Sequence, residues 1–306
     1  MKIQPYSLHS DADDAASLLA KQATQALLDE ARLSPKPGLV DSRGSGAHQD
    51  LTLGLMERSA HSLTPAFQQL AIASWQRPVD SALRQEIGRI GRDGERSMML
   101  ATQGVNTHRG AIWALGLLVS AVAMQAVKGD VYSTLSLAAQ IARLPDHASP
   151  KVFSKGLRAT QRYQVPGARE EAQQGFPHVI TLALPQLWRS RQHGATEQEA
   201  RIDALMAIMT SLSDTCVLSR GGLSALKAMQ QGAAEVLANG GYQTPAGRLA
   251  LAHLEARMLA DHVSPGGAAD LLAAALFLDR TCRQSVGHKD ARRRVDNDYR
   301  GRYGTY

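Results

Sequence analysis

Apolar residues recur along this chain at three- and four-residue spacings, and nowhere do they alternate long enough to predict a strand. Ser10 with Asp13 opens one such run through Leu18, Leu19, Ala23, Leu27 and Leu28, which reads as an N-cap followed by an amphipathic helix that Pro35 and Pro37 end. Thr196 with Glu199 forms a second capping box ahead of Ile202, Leu205, Met206, Ile208, Met209 and Leu212. The pattern predicts one helix from there toward Arg220, stopping at Gly221-Gly222. Further helices are predicted near Leu51, Leu83, Ile112, Leu135, Phe153 and Val179, and after Leu223, Thr244 and Gly267, about ten in all. Gly and Pro punctuate the joins, and no repeat at solenoid period is found. No linker marks a boundary, so an all-α fold is expected, with residues 1–280 as one globular, multi-helix catalytic domain and 281–306 as a basic, flexible tail.

Composition supports that reading. Aromatic residues are only 5% of the 306, whereas Ala and Leu abound, which favours helix on helix. The most apolar segment, Trp113 to Ala126, is shorter than the roughly 20 residues a bilayer requires and reads as a core helix. Residues 1–9 hold one Lys and no apolar stretch of a secretory signal, so the expected location is the cytoplasm, away from any membrane. Cys216 and Cys282 are too few for a disulfide framework or a structural zinc site. The net charge of +6 would suit nucleic acid, a membrane surface or a phosphate-rich small molecule. Much of that excess is local, because eight Lys or Arg lie between Arg280 and Arg302.

Chemistry in a helical protein concentrates at polar, glycine-rich junctions, where helix N-termini offer unpaired N–H groups to anions. Four junctions stand out. The first, residues 30–50, holds Glu30, Lys36, Asp41, Arg43, His48 and Asp50. Asp41, His48 and Asp50 could bind a divalent ion, since carboxylate oxygen suits Mg²⁺ and substrate phosphates complete its shell. A capped loop with a solvated His48 explains the same residues equally well. The second, residues 102–110, feeds Asn106, Thr107, His108 and Arg109 into the most apolar helix, as a phosphate cradle would. In the third, residues 163–177, Arg169 with Glu170 and Glu171 reads as a solvated first turn. The fourth, residues 214–222, is echoed by 264–270. Asp214 and Arg220 there form either a structural pair or part of a site. Cys216 has no partner motif and is assigned no role. Walker, Gly-x-Gly-x-x-Gly and His-Glu-x-x-His patterns are missing, so the usual phosphate loop does not hold any ATP.

In this order the junctions resemble the triphosphoribosyl-dephospho-coenzyme A synthase family, which serves citrate lyase and malonate decarboxylase. The stretches that carry the resemblance are Pro35-Lys-Pro-Gly-Leu-Val-Asp41 with Gly46-Ala-His-Gln-Asp50, Gly104-Val-Asn-Thr-His-Arg-Gly110, Val165-Pro-Gly-Ala-Arg169 with Gly175-Phe-Pro177, Asp214 with Arg220-Gly-Gly222, and Ser264-Pro-Gly-Gly-Ala-Ala-Asp-Leu-Leu272. Gln103, Arg109, Cys216 and Ser219 depart from the family pattern.

The resemblance implies that the 2'-hydroxyl of 3'-dephospho-CoA attacks the ribose anomeric carbon of ATP and adenine departs. Such a displacement needs a base, a cationic cradle for the triphosphate and a donor to the purine. The resulting expectation gives Asp41, His48 and Asp50, with Glu30 beside them, to catalysis. Lys36, Arg43, Asn106, Thr107, His108, Arg109, Arg169 and Arg220 go to the substrates and their phosphates. Asp41, Asp50, Asp214 and Asp270 go to Mg²⁺, with ATP as substrate rather than cofactor. The product would pass to a phosphoribosyl-dephospho-CoA transferase acting on an acyl carrier protein, that of malonate decarboxylase being favoured because no transferase is fused to this chain. The oligomeric state, a homodimer among the options, is not readable from the sequence, and nucleic acid is not an expected partner. The competing readings are a Mg²⁺-dependent nucleotide hydrolase and a basic helical nucleic-acid-binding module. Against the second, aromatics for base stacking are few.

Overall fold

The helical expectation is met by a computed structural model that describes residues 6–149 and 155–282. Its described residues form thirteen α-helices: α1 (Tyr6–Arg32), α2 (Leu53–Ser62), α3 (Thr64–Ser74), α4 (Ser81–Ala101), α5 (Arg109–Met124), α6 (Val131–Arg143), α7 (Lys155–Tyr163), α8 (Ala168–Gln173), α9 (Leu184–Gln192), α10 (Glu197–Met209), α11 (Thr215–Ala238), α12 (Pro245–Ala260) and α13 (Gly266–Cys282). A π-helical turn, His178–Ala183, leads into α9. The sole extended pairing among the described residues is the single bridge between Asp41 and Gly44. Phe153 and the tail beyond Cys282 lie outside the described residues.

Local chemistry sets most starts. The side chains of Thr52, Asp80 and Thr244 each accept from the backbone three residues on, which satisfies one of a helix's orphan N–H groups. The expected Thr196–Glu199 box is present and starts α10, with Glu199 returning a bond to the Thr196 N–H at 2.8 Å. Two expectations need correction. The first helix begins at Tyr6, so Ser10 lies inside it and is no N-cap. The helix predicted to run from Glu199 toward Arg220 is two, because α10 stops at Met209 and Asp214 caps a new helix. That second helix does break at Gly222, whose φ of 66° and ψ of −163° leave helical space.

α5 is the hub. From Ala111 to Ala123 all but Trp113 are buried, and α5 packs against α1, α3, α4, α6 and α13. Leu115, Leu118 and Val119 are fully buried, and each such side chain contributes roughly 1.5–3 kcal/mol. No helix of the described residues is long and apolar enough to cross a membrane. One apolar cluster reaches from Ala16 in α1 to Leu278 in α13. With the core fixed this way, the C-terminal end of α1 and the N-terminal ends of α5, α11 and α13 meet at one end of the bundle.

Candidate active site

The first junction is built around two buried acids. Glu30, in the last turn of α1, is 3% exposed, and Lys36 is 1% exposed. Lys36 Nζ donates to Glu30 Oε1 at 2.6 Å and to its carbonyl oxygen at 2.5 Å. An ammonium taken this far from water persists only when paired and hydrogen-bonded.

Asp41 is used differently. Its carboxylate accepts from Ser34 Oγ, from the N–H groups of Lys36 and Arg43, and from Arg43 Nε and Nη2, at 2.7–3.0 Å. Burial pushes the carboxyl up, but those bonds outweigh it and hold Asp41 below the usual carboxylate range. Arg43 also forks onto Glu255 of α12 at 2.9 and 2.5 Å. Asp41 and Arg43 thus clamp the loop. Gly46 (φ 56°) lets the loop fold back on itself, since a Cβ there would meet Leu39 O at 2.4 Å.

His48 lies half-buried at the outer edge of this loop. Its Nδ1 is 3.3 Å from Arg220 Nη2 and 3.9 Å from Asp50 Oδ1, and Arg220 Nη1 donates to Ala47 O at 3.4 Å. Burial, then the Arg220 charge, lowers the imidazole to about 4, so it is neutral at physiological pH and can accept from the guanidinium. Asp50 is exposed.

The second junction splits. Thr107 and His108 turn inward, with Ser59 Oγ of α2 2.5 Å from Thr107 Oγ1 and 2.7 Å from His108 Nδ1. His108 is buried and its Nε2 has no hydrogen-bond partner among the described residues. Burial, then the neighbouring Lys36 charge, lowers its pKa to about 4. Asn106 and Arg109 face outward, and Arg109 pairs with Glu95 of α4. The N-terminal end of α5, expected as a phosphate cradle, receives a carboxylate instead. Asp270, near the N-terminal end of α13, accepts from the Ala111 N–H, and a Cβ on Gly110 would sit 2.0 Å from Asp270 Oδ2. Only glycine admits that approach.

Asp214, fully buried, caps two helices at once. Oδ1 accepts from Cys216 N at 2.8 Å and Val217 N at 3.3 Å, while Oδ2 accepts from Ala268 N of α13 at 2.9 Å. Backbone donors take the place of the cation or metal expected for it. Burial, then Glu30 and Asp214, raises the Asp270 carboxyl well above the usual range. Cys216 is exposed as a residue, but its Sγ lies against the start of α13, 3.1 Å from the place a Cβ on Gly266 would take, and the burial of that sulfur, then Asp214 and Asp270, pushes the thiol up. From the third junction, Tyr163 reaches α11, its hydroxyl 3.3 Å from the place a Cβ on Gly222 would take. Arg169 is exposed and lies beside Arg84, outside this cluster.

The fold therefore gathers Glu30, Lys36, His48, His108, Asp214, Arg220 and Asp270, and it leaves Asn106, Arg109 and Arg169 outside. Among the described residues no group of three or more His, Cys, Asp or Glu stands where it could hold a metal ion. Mg²⁺ demands less than that, taking one or two carboxylates and completing its shell with phosphates and water. Ser59 and Glu255, missed in the sequence, are 49 and 212 residues from the side chains they hold, with no local signal.

Comparison with known proteins agrees with this arrangement of junctions. The chain matches the protein-family model described as ATP:dephospho-CoA triphosphoribosyl transferase over residues 16–288. It is 68% identical over 269 residues to the 2-(5''-triphosphoribosyl)-3'-dephosphocoenzyme-A synthase of Klebsiella pneumoniae, covering 88% of this chain and 96% of that one. Proteins named "Probable 2-(5''-triphosphoribosyl)-3'-dephosphocoenzyme-A synthase" are 59% identical in Stutzerimonas stutzeri over 271 residues, 88% of this chain and 93% of that one, and 56% identical in Pseudomonas aeruginosa over 275 residues, 90% and 94%. No solved structure matches. With a family match across nearly all the described helices and relatives of this identity over nearly their full length, the chain belongs to the ATP:dephospho-CoA triphosphoribosyl transferase family.

Proposed function

We propose that this chain moves the triphosphoribosyl group of ATP onto the 2'-hydroxyl of 3'-dephospho-CoA, with the chemistry at the meeting of α1, α5, α11 and α13. In that reaction the O2'–C1' bond forms and the C1'–N9 bond breaks, and the hydroxyl proton is balanced by the proton that the released adenine gains. The observation that carries the reading is Asp270. Glu30 and Asp214 are sealed in the core, whereas Asp270 is half-buried and set against Gly110 at the start of α5; burial, then Glu30 and Asp214, raises its carboxyl, which makes it a stronger base than an ordinary carboxylate. We assign it the proton of the attacking hydroxyl.

The other roles follow from what each group has free. Lys36 is sealed against Glu30 and contributes positive potential rather than contact. Arg220 is exposed and keeps donors free beyond Ala47 and His48, so it meets the triphosphate with a planar fork. His48, neutral, orients it. Asp41 and Arg43 position the loop. A Mg²⁺ ion arriving with the triphosphate would be held by the exposed Asp50 and would neutralise phosphate charge. The product would serve as a prosthetic-group precursor for an acyl carrier protein of malonate decarboxylase or citrate lyase, reached through a second transferase.

Arg220→Ala tests the phosphate assignment. Loss of a charge-assisted fork is expected to raise the KM for ATP about tenfold or more, read from initial rates of adenine release. An unchanged KM in a folded variant would remove Arg220 from the site. A hydrolase acting on the same groups would use water in place of the acceptor, and its adenine release would not depend on dephospho-CoA.

A further inference from the structure

A cavity of about 680 Å³ opens on the far side of the α5 start, walled by Arg92, Glu95, Arg96, Met99, Leu100 and Gln103. Its size falls in the range of small-molecule sites. We propose that it takes the uncharged amide arm of the acceptor, the pantetheine end of dephospho-CoA, with Arg96 meeting the acceptor's diphosphate. The proposal rests on the functional reading above and names the subsite that reading lacks.

Continuity comes first. Glu95 in the cavity wall pairs with Arg109, and the next residue, Gly110, is the one Asp270 packs against. A ligand whose ribose hydroxyl faces Asp270 and whose 5' side turns across the start of α5 enters this cavity.

The lining chemistry selects the arm over the triphosphate. Met99 and Leu100 supply an apolar surface, and Leu100 is 82% exposed, so a carbon chain laid on it would bury area now facing water. Arg96, 71% exposed, pairs with Asp93 on its own helix, a surface pair that leaves it available to a diphosphate. Gln103 holds left-handed backbone (φ 54°), a conformation other than glycine seldom adopts, and it brings an amide able to donate and accept to the cavity rim, where amides of the arm would lie. Beside it, Gly104 has no atom within 4 Å of the place a Cβ would take, leaving the backbone open to a ligand.

The test uses the full chain with two acceptors, dephospho-CoA and ADP, the latter carrying the same adenosine diphosphate without the arm. Leu100 is exposed, so Leu100→Asp is compatible with the fold. This variant is expected to raise the KM for dephospho-CoA about tenfold, to leave the KM for ATP within about twofold, and to erase most of the preference for dephospho-CoA over ADP. An unchanged KM for dephospho-CoA, a parallel rise in the KM for ATP, or a preference over ADP that survives would overturn the proposal. Calorimetric titration of dephospho-CoA and ADP into both proteins separates this from failure of the functional reading. Tighter binding of dephospho-CoA than of ADP, lost in Leu100→Asp, supports the arm site even if no transfer occurs, and equal affinities for the two in the unaltered chain refute it.

Discussion

Asp270→Asn is expected to slow adenine release by about a hundredfold to ten-thousandfold while leaving the fold intact. The amide keeps the shape and can still accept the Ala111 N–H, but it cannot take a proton from a hydroxyl. Stability should move the other way. Burial, then Glu30 and Asp214, raises the Asp270 carboxyl, so the folded chain holds that proton more tightly than the unfolded chain does. Its contribution is fully present below the unfolded carboxylate value of about 3.9 and is lost as pH rises through the raised folded value. At pH 8 the Asn variant, which has no such charge to bury, should melt at or above the unaltered protein, and at pH 4 that advantage should shrink. Rates by chromatographic adenine assay and melting curves at both pH values check the pair. A variant that is fully active, or one destabilised equally at both pH values, would show that Asp270 serves only as packing.

Lys36→Met is expected to cost about 3–5 kcal/mol of folding stability, because it strands the buried Glu30 carboxylate without its counter-ion. The size of the effect comes from the group left behind rather than from the bond removed. Joining it with Glu30→Gln should therefore recover much of the loss, since a buried pair replaced by neutral groups is often close to neutral in energy. Urea midpoints for the single and double variants measure this. A single variant within about 1 kcal/mol of the unaltered chain would mean that water reaches the pair.

How much of this was legible in the sequence depends on how local each interaction is. The Thr196–Glu199 box was readable because its bonds span three residues. The break between α10 and α11 was not, because Leu212 continues the apolar period across it and the cap that starts α11 is shared with Ala268, 54 residues on. The residue types of the site were legible as clusters at junctions, and the Lys36–Glu30 pair lies within one of them. Which groups stay free for chemistry was not. Asp41 reads in sequence as a metal ligand or base, yet Arg43 and backbone N–H groups occupy its lone pairs. Asp270 reads as a minor candidate, and only the packing of α13 on α5 sets it against Gly110. Arg109 and Arg169 look like phosphate ligands by type, but Arg109 pairs with Glu95 of α4 and Arg169 lies exposed beside Arg84.

The reaction itself is the most direct test. Mass spectrometry of the full chain incubated with ATP and 3'-dephospho-CoA should show adenine and a triphosphoribosylated dephospho-CoA accumulating in equal amounts, with neither formed when the acceptor is left out. Adenine or phosphate released at the same rate without dephospho-CoA, and no adduct with it, would contradict the transferase reading and leave a nucleotide hydrolase in its place.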